Sequence, residues 1–293
     1  MGRLSRGLGG PRLDFALCVL DALKRIVSGY ITMQYLLSEQ ARLYALILLC
    51  AVLWTLESVI PLYRFGRDRL PHAFPNVMLA LLLVMTNLAL SAGSASLAAC
   101  TDRNRIGLFI LLGLSPLMKL ILGVAALDFF GYLAHLLLHK SRLGWRFHRV
   151  HHSEIAVDVT TAFRQHPGET VWRILWQLAA IVIFGLPLWV VVIYLTLSGL
   201  NAQLEHANIK LNERFDGLLR LFVVTPNMHK THHSRLRKET DSNYSNIFSL
   251  WDRLCGTHTR RVNFKELRYG LKGFDAADKQ TLRSLLKMPF ARV

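Results

Sequence analysis

Charge is scarce in this chain, and what there is leans one way. Only 18% of the 293 residues are charged, while 52% are hydrophobic. A water-soluble domain carries roughly a quarter charged residues, so an ordinary soluble fold is excluded. The apolar residues also gather into runs long enough to cross a bilayer. Acidic residues are the rarer sign, 19 against 35 Lys plus Arg, for a net charge of +16. The surplus flanks the apolar runs and mixes with the histidines, which points to basic loops beside anionic lipid and away from nucleic acid. Cysteine is sparse as well. Cys18, Cys50, Cys100 and Cys255 form no CxxC pair, and the first three lie in or beside apolar segments. That excludes a disulfide framework and leaves small buried hydrophobes. The N-terminal stretch starts basic but lacks a clean apolar core before a small-residue cleavage site, so no signal peptide is expected.

The long apolar runs set the expected architecture. Residues 1–42 read as a basic, amphipathic N-terminal segment, with an interfacial helix expected over 14–37. First and second spans are expected over 43–63 and 76–99, joined by a basic, proline-marked loop. From Gly107 to His139 the run exceeds one membrane thickness and is interrupted by Pro116 and Lys119. The stretch 171–202 carries Gly185-Leu186-Pro187 at its middle. Histidines stand on both sides of it, so it is expected to turn there as a hairpin and return the chain to the same side. Residues 43–260 are taken as one membrane-embedded unit, with a cap formed mainly by 140–170 and 203–260, and 261–293 as a basic tail.

Histidine is where the chain is rich. There are twelve, and only His72 and His258 lie outside 135–233. "HLLLH" places His135 and His139 one helical turn apart, on one face. "HRVHH" (His148, His151, His152) and "HKTHH" (His229, His232, His233) repeat one spacing about eighty residues apart. In H-x-x-H-H the first two histidines share a face, and the third points about 100° away. Each copy is therefore expected to send its spaced pair to one metal ion and its adjacent histidine to another. Eight imidazoles are twice what one tetrahedral zinc needs, so the spacing predicts a dinuclear site. Imidazole suits zinc, copper, nickel and iron alike. High nitrogen coordination favours iron with a position open for oxygen. No histidine group contains the H-E-x-x-H glutamate of a zinc protease; Glu154 and Glu169 remain as imaginable bases for a hydrolase. A metal transporter would set polar groups along the spans, whereas these cluster at helix ends.

The set HxxxH, HxxHH, HxxHH resembles the fatty acid hydroxylase/sterol desaturase superfamily of integral-membrane di-iron oxygenases. Further stretches share the likeness: "DFFGYLAHLLLH" with Asp128, Tyr132 and His135; "RQHPGE" with Arg164, His166 and Glu169; "EHAN" with His206 and Asn208; and "DSNYSNIFSLWDRLCGT" with Asp241, Asn243, Tyr244 and Asp252. The resemblance covers about 45–260. Leu136, Ser245 and Cys255 depart from the usual pattern, and none of these removes a ligand. It implies His135, His139, His148, His151, His152, His229, His232 and His233 as ligands, His206 as a ninth, and His166 as a further ligand or a substrate contact. Asp128, on the face of His135, is expected to accept the outer N–H of a ligand histidine. Asn208 and Asp241 are candidates for the same supporting role.

The resemblance implies an all-α bundle of four to five membrane helices, hairpin included, over a cytosolic, histidine-bearing helical cap. It also implies two iron ions, O2 as co-substrate, and hydroxylation or desaturation of a membrane lipid: sterol, fatty acyl, sphingoid or related, with a carotenoid-type hydroxylase or ketolase as the alternative. Because the sequence carries no dinucleotide fingerprint and no haem-attachment motif, electrons must come from an external donor, a b-type cytochrome, a ferredoxin or a reductase. The sequence leaves the oligomeric state open.

Overall fold

The computed structural model describes the backbone of residues 30–64, 69–261 and 263–291, and side chains from Gln40 onward. It is all-α. Five long helices run as α1 (Tyr30–Val59), α2 (Arg69–Arg103), α4 (Pro116–Lys140), α6 (Pro167–Phe184) and α7 (Leu188–His206), with a short α3 (Leu108–Leu111) and α5 (Arg142–His152) between them. Short helices α8 (Glu213–Leu219), α9 (Pro226–His232), α10 (Arg237–Thr240), α11 (Leu250–Leu254) and α12 (Leu282–Lys287) complete the chain. Among the described residues the only β pairing is two isolated bridges, Pro61 with Ile209 and Val223 with Phe248.

Four stretches are long and apolar enough to cross a membrane by length and composition: 40–59, 69–111, 116–140 and 188–206. Their outward faces carry large apolar side chains such as Leu48, Met85, Leu117 and Ile121, all exposed. A water-facing helix would reverse that pattern; a lipid-facing one requires it. The expected interfacial helix over 14–37 lies outside the described residues up to residue 29, and from Tyr30 the chain is already α1.

The boundaries follow local chemistry. The long run after Gly107 breaks where Ser115 accepts the Met118 N–H at 3.3 Å and Pro116 takes the first helical position, a place where its missing N–H costs nothing. The loop expected up to residue 75 is shorter than the sequence suggests, since α2 begins at Arg69 and runs through Pro75. Pro71 falls in the first turn, where it is tolerated, and Pro75 lies inside the helix, so this stretch is a helix start and not a loop.

The turn at Gly185 forms as expected. It closes α6 in the left-handed region at φ 66°, with its N–H donated to Ile181 O. A Cβ on Gly185 would fall 2.5 Å from Ile106 O, and one on Gly107 only 2.1 Å from Gly185 N. These two glycines let the hairpin tip seat on the turn between α2 and α4, at the end away from the histidines. Inside the bundle, Gly123 and Gly131 bring α4 against α7: a Cβ would meet Val190 Cγ1 at 2.7 Å and Tyr194 Oη at 2.7 Å. Small residues at such contacts are how helices approach closely in lipid. Leu127, Ile181, Leu186 and Val190 fill the core between them.

At the opposite end the cap is fastened to the bundle by buried polar groups. Glu57, near the end of α1, accepts N–H bonds from Val159 (2.8 Å) and Asn208 (2.7 Å) and pairs with Arg69. Arg164, fully buried, donates to Val150 O (2.9 Å), Asn76 Oδ1 (3.0 Å) and Ser153 Oγ (2.9 Å). The segment read as a tail is packed here as well, Leu285 and Met288 lying on Leu79 and Val150.

Candidate metal centre

The end of the bundle nearest the cap collects nine histidines from four helices. His135 and His139 come from the last turns of α4, and His148, His151 and His152 from α5. His206 closes α7, His229 and His232 lie on α9, and His233 is its cap. All nine are buried. They fall into two groups, His135, His139, His148, His152 and His232 in one, His151, His206, His229 and His233 in the other, with the ligand atoms of each group within 4.8 Å of one another.

This division corrects the expected pairing within each motif. The outer histidines go together (His148 with His152, His229 with His233), and the middle one (His151, His232) crosses to the other group. Helical geometry explains it. Residues four apart are displaced by about 40° around the axis and residues three apart by about 60° the other way, so the i, i+4 pair converges best. Each motif thus contributes to both groups, and the two copies exchange their middle histidines.

The anchoring of these motifs is local. Arg149, inside the first, donates to the carbonyls of Met288 and Ala291. Lys230, inside the second, donates to Ala207 O, which sets α9 against the end of α7 and brings His229 opposite His206. Burial pulls the Lys230 ammonium down to about 7.

Hydrogen bonds fix the imidazoles in a ligand-ready form. The Nδ1–H groups of His135, His206 and His232 donate to the carbonyls of Tyr244 (2.8 Å), Ala202 (2.6 Å) and Ser242 (2.6 Å). A carbonyl can only accept, so in these rings Nε2 is left as a bare lone pair. Those lone pairs face other imidazoles: His135 Nε2 lies 3.0 Å from His148 Nε2, and His206 Nε2 lies 3.1 Å from both His151 and His233 Nε2 and 3.0 Å from His229 Nε2. Nitrogens about 3 Å apart are what a cation with ligands at about 2.1 Å and near right angles requires. Burial holds His148, His151, His152, His229 and His233 below the usual histidine range, and His232 down at about 3. Neutral imidazole is the metal-binding form. The residues present therefore fit two metal ions.

Carboxylates and carbonyls stand behind the rings. Glu169 Oε2 lies 3.0 Å from His148 Nδ1 and Arg173 holds the other oxygen at 2.9 Å. Asp241 faces His139 Nδ1 at 3.6 Å and Lys140 at 3.4 Å, so of the three supporting candidates it alone reaches a histidine of either group. The segment 241–257 supplies two of the three carbonyls, Ser242 O and Tyr244 O. Asn243 takes the left-handed region (φ 54°) and its side chain bridges Met228 O and Thr259 O. Asp252 accepts from Tyr244 N (2.8 Å) and Ser245 N (2.9 Å), aiming Tyr244 O at His135.

Three expected roles are not found. Asp128 supports no histidine; it accepts from Ile247 N (3.1 Å), Phe248 N (2.9 Å) and Trp251 Nε1 (2.8 Å), because the loop's own unpaired donors reach it first. Asn208 exchanges bonds with Tyr63 N (3.3 Å) and Tyr63 O (2.8 Å) and joins the cap to the chain after α1. His166 belongs to neither group: it caps α6, its Nδ1 accepting from Gly168 N at 3.0 Å. Of the hydrolase candidates, Glu154 is bound by Asn76 at 2.9 Å and by backbone N–H groups.

A cavity of about 250 Å³ opens onto both groups, at His135 of the first and His151, His206 and His229 of the second. Leu46, Leu83, Leu127, Ile174 and Leu195 give it apolar walls. Arg42, Asn87, Arg173 and Gln177 add polar ones. Neither Glu154 nor Glu169 lines it. Glu205 does, a residue that sequence reasoning passed over although it immediately precedes His206.

Comparison with known proteins places this geometry in context. Residues 120–257 match the family described as fatty acid hydroxylase. The chain is 32% identical over 174 residues to ornithine lipid hydroxylase OlsE of Rhizobium tropici, covering 59% of this chain and 51% of that protein. It is 31% identical over 146 residues to alkylglycerol monooxygenase of Homo sapiens, covering 49% and 31%. Methylsterol monooxygenase 1 of Gallus gallus is 29% identical over 142 residues, covering 47% and 45%. The chain thus spans about half the length of the first relative and less of the other two. No solved structure matches.

Proposed function

We propose, from the match of residues 120–257 to the fatty acid hydroxylase family and the likeness to lipid hydroxylases, that this chain is an integral-membrane oxidoreductase of that superfamily that uses two iron ions and O2 to oxidise a C–H bond of a membrane lipid. The observation that carries this is the pair of buried histidine groups opening onto one largely apolar cavity between helices. When bound, the two irons supply O2-dependent oxidation of an unactivated carbon, chemistry that no side chain provides.

The protein's own residues do the rest. His135, His139, His148, His152 and His232 would hold one ion, and His151, His206, His229 and His233 the other. Glu169, Asp241 and the Tyr244 and Ser242 carbonyls keep the rings oriented. The cavity walls position an apolar segment of the lipid beside His135, His151, His206 and His229 and keep bulk water away, while Arg42, Asn87 and Gln177 offer partners to a polar group on the same molecule. Ornithine lipid, alkylglycerol and methylsterol, the substrates in the relatives' names, all combine an apolar body with a polar group. An external donor supplies the electrons.

The test is oxygen uptake by the purified, iron-loaded chain with a reductant and extracted membrane lipids. Lipid-dependent O2 consumption with a product heavier by one oxygen, or lighter by two hydrogens, is expected. Lipid hydrolysis without O2 uptake would point to a hydrolase, and metal flux without either to a transporter.

The site is assigned to the cytoplasmic face, in keeping with the basic residues around it. In a chain freed of its native cysteines, single cysteines at Arg142 and Lys238, both exposed, should react with an impermeant reagent from the cytoplasm. One at Asp102, exposed in the last turn of α2 at its far end, should react from outside. Labelling of Arg142→Cys and Lys238→Cys from opposite faces would separate the two histidine motifs and rule out a shared site.

A further inference from the structure

We propose, resting on the two-ion site above, that the Glu205 carboxylate is the fifth protein ligand of the ion held by His151, His206, His229 and His233. The two histidine groups are unequal, five imidazoles against four. Glu205 stands beside the smaller one. Its Oε1 lies 3.7 Å from His229 Nε2, while its 3.9 Å approach to His206 is to Nδ1, the outer nitrogen that donates to Ala202 O. The residue is 3% exposed, and its Oε2 has no hydrogen-bond partner.

Other buried carboxylates around the site are answered by the protein. Glu169 is held by Arg173, Asp128 by three N–H donors, and Asp252 by two N–H groups and Thr257. Among the described residues, the ion-pair contacts of Glu205 are to imidazoles alone. A carboxylate buried among imidazoles needs a cation close by. Glu205 also lines the cavity, on the side shared by His151, His206 and His229. An oxygen ligand there would bring each group to five protein ligands.

The experiment uses the full chain loaded with 57Fe in detergent, comparing metal content, release to a chelator, and the Mössbauer spectrum. In Glu205→Gln, which keeps the shape and removes the charge, one of the two irons should leave at least about tenfold faster, with its doublet altered and the other doublet unchanged. Glu205→His, which returns a nitrogen donor, should restore slow release. Both irons retained in Glu205→Gln with unchanged release and spectrum would overturn the assignment while leaving the two-ion site standing. Equal loosening of both irons with no rescue by Glu205→His would mark a merely structural glutamate. Should Glu205→Gln fail to fold, Glu205→His decides: folded with two irons it supports the assignment, with fewer it overturns it. An unmodified chain that holds fewer than two irons removes the two-ion site and this ligand together.

Discussion

Alanine at His148, His151, His229 or His233 is expected to abolish turnover and to lower bound metal, whereas His72→Ala and His258→Ala should leave metal content unchanged. Each of the four sends a buried ring into one of the two groups, so its removal takes a ligand from an ion that has few to spare. Losing a group that merely supports a ligand costs about 10- to 100-fold in metal affinity or activity. Losing the ligand itself should exceed about 100-fold. Glu169→Gln, one contact further out behind His148, should fall inside the 10- to 100-fold range. The controls are informative because they are also histidines. His72 lies 3.5 Å from Glu154 and 3.6 Å from Asp158, so its removal should cost stability at the junction of α2 with the cap and not metal. Metal analysis of each purified variant, alongside turnover, checks all of this. A His72→Ala variant as metal-poor as His151→Ala would mean that membership of the groups does not identify ligands.

Much of this site was legible in the sequence because its signal is periodic. HxxxH and HxxHH declare a helix and a shared face at once, and nine histidines assigned from spacing and resemblance are the nine that the fold brings together. The hairpin was legible for a topological reason, as histidines on both sides of 171–202 require the chain to return, and Gly185 supplies the left-handed turn. What spacing could not give was the division into groups. An i, i+3 pair and an i, i+4 pair both share a face; the i, i+4 offset is the narrower, but the facing helix decides which group each histidine joins. Here α9 opposite α5 selects the outer pair of each motif.

The supporting residues were the least legible. Asp128 has the right helical phase to serve His135, yet its carboxylate is taken by the backbone of 247–248 and by Trp251, contacts more than a hundred residues away in sequence. Backbone carbonyls, which fix three of the nine imidazoles, leave no mark in a sequence at all. Their only trace is indirect, in Asn243 at a left-handed position and Asp252 gathering the N–H groups of 244–245. Glu205 could have been noticed as a carboxylate next to a ligand histidine at the end of an apolar helix, where a buried charge calls for a partner.

The most direct test of the central claim is an iron-edge anomalous-scattering map from crystals of the iron-loaded chain, the second large effect expected. Two peaks per chain are predicted. One should lie about 2 Å from nitrogens of His135, His139, His148, His152 and His232, and the other at a similar distance from His151, His206, His229 and His233. The swap of middle histidines makes the outcome specific, since His151 must sit with the second motif and His232 with the first. Two peaks with each H-x-x-H-H motif confined to its own ion would contradict the grouping, and a single peak in active protein would contradict the dinuclear centre itself.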